Sequence, residues 1–293
     1  MGLVAACISC GGTKTPIEPG GGGGGGGGIT PSGPVDLIGA GDIALCGSPG
    51  TIATANQLDL FPMATVFAAG DTVYFHGTPD EYRDCYEPTW GRNKFRTWAV
   101  PGNHEYETPG ASGFYTYFGS QAGPPGQGYF RRTLGSWTVI GLNSEIDAGP
   151  GSPQLGWLRA DLQNNPKPCT VAIWHRPLFS SGPNAVNLDA RDLWRTLYEF
   201  NVDVIINGHD HLYERFAPQN PDGDADSARG IRQFTVGTGG AESYAFNAAK
   251  RNSERRVTGF GIVKFTLTDN GYSWEFLPVN PTGNGDSGSG TCH

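Results

Sequence analysis

The sequence predicts an α/β protein in which two mixed β-sheets pack face to face and are flanked by helices. Three observations carry this. Short apolar runs recur along the chain at Val35 to Ile38, Ala64 to Ala69, Trp98 to Val100, Val171 to Trp174 and Val202 to Ile206, and runs of that length read as buried strands. Helical patterns lie between them. The last part changes character, because Gln233 to Val236, Gly261 to Leu267 and Tyr272 to Leu277 read as consecutive antiparallel strands.

In chain order, the folded domain is expected over 35–293, beginning near Val35. Thr51 to Leu60 reads as a helix after the first strand, stopped by Pro62. Ser152-Pro153-Gln154 opens the next one with a capping residue and proline at the first helical position, and Leu155, Leu158 and Leu162 supply its apolar stripe. Asn164-Asn165-Pro166 ends it. Leu188 to Phe200 is a third helix, with Leu193, Leu197 and Phe200 at helical spacing, and it feeds the Val202 to Ile206 strand. Asp269-Asn270-Gly271 is a turn between the last two strands, and Asp286 to Gly290 reads as a polar, glycine-rich tail.

The segment 1–34 is of another kind. Gly20 to Gly28 is an unbroken glycine run flanked by Pro19 and Pro31, a composition that cannot pack a core and reads as a flexible stalk. Val4-Ala5-Ala6-Cys7 resembles a bacterial lipoprotein cleavage box, which implies export and a lipid anchor at Cys7; no basic region precedes it and the apolar stretch is short for a signal, so a chance match is the alternative. No run of about 18 apolar residues occurs, so no transmembrane helix is expected. The net charge of −8 excludes a broad surface for nucleic acid as a stable partner, which needs clustered Lys and Arg. It leaves room for a small phosphorylated substrate if metal ions supply positive charge locally.

Six cysteines, Cys7, Cys10, Cys46, Cys85, Cys169 and Cys292, lack the spacing of a zinc site. Cys46 and Cys85 each follow one of the polar motifs described next and form one candidate disulfide, with Cys169 and Cys292 as the second. Free buried thiols are the alternative. Disulfides would imply an oxidising, secreted, periplasmic or cell-surface setting.

Polar motifs stand just past the apolar runs: Gly41-Asp42, Gly70-Asp71, Gly102-Asn103-His104-Glu105, His175 and Gly208-His209-Asp210-His211. In α/β proteins such strand ends converge on one crevice. A lone Gly-Asp is an ordinary turn, but four of the six histidines in the chain stand in these motifs. The resulting set of carboxylate, amide and imidazole suits two metal ions of borderline softness. Asp71 is the carboxylate placed to bridge them. One ion takes Asp42, Asp71, His211 and a further group; the other takes Asp71, Asn103, His175 and His209. Two ions roughly 3.5–4 Å apart would hold a hydroxide that attacks phosphorus.

Asp42, Gly70-Asp71-x-x-Tyr74, Gly102-Asn103-His104-Glu105, His175 and Gly208-His209-x-His211 resemble, in order, the five blocks of the calcineurin-like metallophosphoesterases, and more narrowly the purple acid phosphatases. The likeness spans Val35 to Leu277. It implies a four-layer sandwich with the dimetal site between strand ends, and hydrolysis of phosphate monoesters. Many members carry Asp-x-His in the first block, whereas this chain has Asp42-Ile43-Ala44. Tyr74 stands where purple acid phosphatases place a tyrosinate on iron(III), with zinc(II), manganese(II) or iron(II) as the second ion; His76 is the other residue placed to fill that position. The resemblance gives His104 contact with substrate or protonation of the leaving group, and puts Asn184 where related sequences carry a further histidine. Arg176, beside a ligand, is a candidate for binding a phosphate oxygen or for stacking on an aromatic. Glu214 and Arg215 read as a structural ion pair. Tyr86, Trp90, Phe114, Tyr115 and Tyr117 read as packing, with some placed to wall a leaving group. Two other functions are open: a phosphodiesterase acting on nucleotides or lipid head groups, and a non-catalytic surface binding protein.

Overall fold

The computed structural model describes residues 33–184, 187–280 and 285–293, with Gly2 and Thr282. The glycine run and the Cys7 box lie outside the described residues. The strands are β1 (Val35–Ala40), β2 (Thr65–Ala69), β3 (Thr97–Val100), β4 (Phe130–Leu134), β5 (Trp137–Gly141), β6 (Thr170–Ile173) and β7 (Val204–Asn207). They continue with β8 (Tyr213–Phe216), β9 (Arg232–Val236), β10 (Ser253–Val257), β11 (Gly261–Thr268), β12 (Gly271–Pro278) and β13 (Asp286–Thr291).

Two mixed sheets result, one ordered β13-β12-β11-β1-β2-β3 and the other β10-β8-β9-β7-β6-β5-β4. In the first, β1, β2 and β3 are parallel; in the second, β5, β6, β7 and β9 are parallel. The uninterrupted apolar runs are explained by burial on both faces. In β7, Val204 and Ile206 join the core between the sheets while Ile205 joins the one beneath the helices. Across the sheet interface the Phe234 ring of β9 meets Phe265 of β11 at 5.0 Å and Trp274 of β12 at 5.4 Å.

Three helices match expectation within two residues at each end. Helix α1 (Pro49–Asp59) starts earlier than Thr51 because Ser48 caps it, its hydroxyl accepting from Gly50 N at 3.1 Å. Helix α2 (Pro153–Asn164) is capped by Ser152, and α3 is Ala190–Glu199. Leu155, Leu158 and Leu162 of α2 and Leu193, Trp194 and Leu197 of α3 pack on the outer face of the second sheet against Ile140, Ala172 and Ile205. Each such fully buried side chain contributes about 1.5–3 kcal/mol of transfer free energy.

The Asp286 to Gly290 segment is not a tail. It forms β13, paired antiparallel with β12 from Phe276↔Asp286 to Gly271↔Thr291. Its glycines are what seat it: a Cβ at Gly288 would come within 2.3 Å of the Trp274 ring, and one at Gly290 within 2.6 Å of the Tyr272 ring. The rings cover the glycine backbone, an arrangement that composition alone disguises as a loop. Disulfides join Cys46 to Cys85 and Cys169 to Cys292, the second fastening the chain beyond β13 to the residue before β6. Arg215 does not pair with Glu214. Its guanidinium lies 2.7 Å from Asp286 and also meets Glu254, while Glu214 accepts from Ser181 and Ser253.

Candidate metal centre

The ends of β1, β2, β3, β6 and β7 open onto one crevice. Asp42, Asp71 and His209 adopt left-handed backbone conformations with φ of 59°, 46° and 72°. Non-glycine residues there cost on the order of 1 kcal/mol each and cluster at functional sites. The glycines beside the ligands answer to space. A Cβ on Gly70, itself at φ +82°, would lie 2.5 Å from His175 Nδ1, and one on Gly102 would lie 2.3 Å from Asp71 Oδ1.

Four buried polar atoms meet at one point. The Tyr74 hydroxyl lies 3.0 Å from Asp42 Oδ1, 3.3 Å from Asp71 Oδ2 and 3.1 Å from His211 Nε2. His211 Nε2 is 3.2 Å from Asp42 Oδ1. Neighbouring donors on an ion with bonds of about 2.1 Å stand roughly 3–3.5 Å apart, a spacing that these atoms match. Tyr74, not His76, lies beside Asp42 and His211: His76 is exposed, and its backbone N–H donates to Glu81. Burial, and then the Asp42 and Asp71 carboxylates, push the Tyr74 phenol well above its ordinary range.

Asp71, His175 and His209 form a second cluster, one ligand atom of each within 4.8 Å of the others. The Ala69 carbonyl accepts from His175 Nδ1 at 2.9 Å, which fixes the tautomer and turns Nε2 to Asp71 Oδ2 at 3.1 Å. Burial opposes charge on His175, but the adjacent Asp71 carboxylate outweighs it and raises the imidazole to about 10. A positive charge is therefore wanted here. His209 is pushed down to about 3 by burial, His175 and Arg176, leaving it a neutral donor. Asn103 Oδ1 is buried with no hydrogen-bond partner. An orphaned acceptor beside buried carboxylates fits a cation and is costly without one.

His104 flanks both clusters. Its backbone N–H donates to Asp71 Oδ1 at 2.9 Å, Phe75 O accepts from its Nδ1 at 2.7 Å, and its Nε2 stands 3.9 Å from Asp71 Oδ2. Arg176 lies at the rim, its Nε bound to both Glu145 oxygens at 2.9 and 3.0 Å and its Nη1 3.3 Å from His209 Nε2. It borders a cleft of about 530 Å³ lined also by Ser144, Asp147, Asn187 and Asp189. The Asn184 amide donates to His209 O at 2.7 Å, which ties it to the His209 loop.

Three residues that shape this site were given no role from sequence, Glu105 although it stands in a strand-end motif. Glu105, fully buried, accepts from the backbone N–H groups of Asp71 at 3.0 Å, Thr72 at 2.8 Å and Gly102 at 2.7 Å, joining two ligand loops. Its place three residues after Gly102, whose N–H it accepts from, was the available signal. Glu145 and Tyr244 had no local signal. The first holds Arg176; the second stacks on His211 with ring centroids 4.1 Å apart.

A profile of the calcineurin-like phosphoesterase family matches residues 49–213, more than half of the chain. The chain belongs to that family, and the family implies a dinuclear metal centre. Within it the likeness is to purple acid phosphatases. Purple acid phosphatase 23 of Arabidopsis thaliana is 28% identical over 205 residues, covering 62% of this chain and 43% of that protein. Purple acid phosphatase 21 of the same plant is 28% identical over 267 residues, covering 80% and 58%. The fold is shared with a purple acid phosphatase from yellow lupin (Lupinus luteus) seeds at a TM-score of 0.73 and 20% identity, over 88% of this chain and 54% of that one. The chain spans about half the length of the curated relatives it matches.

Proposed function

We propose that this chain is an exported phosphoesterase that hydrolyses small phosphate monoesters at a centre of two metal ions. Asp42, Asp71, Tyr74 and His211 would hold one ion, and Asp71, Asn103, His175 and His209 the other, with Asp71 shared. The supporting observation is the meeting of the Tyr74 hydroxyl, Asp42 Oδ1, Asp71 Oδ2 and His211 Nε2 at 3.0–3.3 Å in a buried place. A phenol, with an ordinary pKa of about 10, ligates only when a highly charged ion displaces its proton, which favours iron(III) there and zinc(II), manganese(II) or iron(II) in the second position.

Such a pair, when bound, supplies an activated water nucleophile and neutralises charge on the phosphoryl oxygens. The chain does the rest. His104, held through Nδ1, presents Nε2 to the leaving oxygen and carries the proton it needs. The Asn103 amide N–H, the second amide N–H of Asn184 and the Arg176 guanidinium fixed by Glu145 are donors for phosphoryl oxygens. Export is supported by the two disulfides. The lipid anchor at Cys7, the stalk and the domain over 35–293 belong to the same proposal.

The test is metal analysis together with rates on phenyl phosphate and diphenyl phosphate. Two ions per chain and a faster monoester reaction are expected. A faster diester reaction would make the protein a phosphodiesterase, and two bound ions with neither substrate turned over would leave a binding protein.

A further inference from the structure

We infer that Phe75 is the leaving-group wall of this site and that it selects phosphate esters of aromatic alcohols. The inference rests on the monoesterase reading and names its substrate class. Six large apolar side chains are exposed among the described residues, and Phe75, 50% exposed, is the one whose ring meets the rings of the site. It stands edge-on to Tyr74 at 6.0 Å and to His104 at 6.3 Å. Its own carbonyl takes the His104 Nδ1 hydrogen bond at 2.7 Å. The ring is therefore set beside the imidazole that faces the leaving oxygen, where the alcohol part of an ester must lie.

The loop is built to hold it. Glu81 accepts from the backbone N–H groups of Phe75, His76 and Thr78, the last two at 3.1 and 2.8 Å. Thr108 Oγ1 donates to His76 O at 2.6 Å. A loop tied at this many points leaves its ring half in water as a fixed feature. Of the aromatic residues expected from sequence to wall the leaving group, Tyr86, Trp90 and Phe114 are fully buried in the core, and Tyr115 and Tyr117 are partly buried and packed against it. A substrate ring laid on Phe75 would remove on the order of 50 Å² of apolar surface from water, enough for about a tenfold preference.

The experiment compares wild type, Phe75→Ala and Phe75→Leu on phenyl phosphate and on glycerol 2-phosphate, with calorimetric binding of phenylphosphonate and inorganic phosphate. The variants change a half-exposed side chain and keep the backbone carbonyl that holds His104. Phe75→Ala should lower kcat/KM for phenyl phosphate and affinity for phenylphosphonate about tenfold, with Phe75→Leu about threefold down. Glycerol 2-phosphate turnover and phosphate binding should stay within about twofold. Equal losses on both esters, or no loss on the phenyl compounds, would overturn the wall. Wild type that binds two ions yet turns over neither ester overturns the monoesterase reading itself, a different result.

Discussion

Tyr74 follows a strand of one sheet and His211 a strand of the other, yet the Tyr74 hydroxyl lies 3.1 Å from His211 Nε2. Asp42 Oδ1 stands within 3.2 Å of both. Iron(III)-loaded protein is expected to be coloured by charge transfer from the phenolate, and Tyr74→Phe to bleach it with the fold intact. Visible absorption and far-UV circular dichroism check this. A colourless iron-loaded wild type would remove the tyrosine from the ligand set.

Asp71 is the carboxylate common to both clusters. Asp71→Asn should lose both ions together, while His175→Ala should retain the ion held by Asp42, Tyr74 and His211. Elemental analysis after gel filtration distinguishes the two patterns. Stepwise loss in Asp71→Asn would show that the ions do not share it.

Glu105→Ala would strand the N–H groups of Asp71, Thr72 and Gly102, all bonded to it at 3.0 Å or less. Each orphaned donor costs about 1–3 kcal/mol. Three such donors, even at the low end of that range, should lower the midpoint of thermal unfolding by at least roughly 6–12 °C for a domain of this size, and a fall of under about 2 °C would mean that water replaces the carboxylate.

Asp286 links the last strand to the second sheet. Burial would raise its carboxyl, but hydrogen bonds from Arg215, Tyr213 and Trp274 and the Arg215 charge hold it below the usual carboxylate range. Because the folded value lies below the unfolded one, of about 3.9, the ionised group stabilises the fold above that pH and the contribution is lost as pH falls through the folded value. Asp286→Asn should therefore be less stable than wild type at pH 7, with the difference shrinking below about pH 4. Denaturant midpoints at the two pH values test it; a difference independent of pH would assign the effect to packing.

Cys46–Cys85 and Cys169–Cys292 should both survive in unreduced peptide maps. Alkylation of any of the four without reduction would contradict the pairing. Reduction should speed amide exchange in β13 before β7, since β13 is an edge strand and β7 is central.

Much of the site was legible because each candidate ligand sits beside its own strand, and strand, glycine and polar residue are adjacent in the chain. Gly70-Asp71 and Gly208-His209 announce themselves for that reason. What was not legible involves partners far apart. Arg215 has Glu214 beside it in sequence, but successive residues of a strand point to opposite faces, so the guanidinium finds Asp286, 71 positions away. Arg176 finds Glu145, and β13 is a strand only because Trp274 and Tyr272 cover its glycines.

By itself the sequence determined the class of fold, three of the helices, the strands β1, β2, β3, β6, β7, β9, β11 and β12, and which residues stand at strand ends, since these follow from apolar periodicity and local caps over a few residues; β4, β5, β8 and β10 were not read from it. Only the tertiary structure decided that Tyr74 rather than His76 joins Asp42, that Glu105 clasps the two ligand loops, and that Phe75 rather than Trp90 faces solvent beside His104. Those outcomes depend on which side of a loop faces the crevice, and that is set by packing between the sheets, where residues far apart in the chain compete for the same few ångströms.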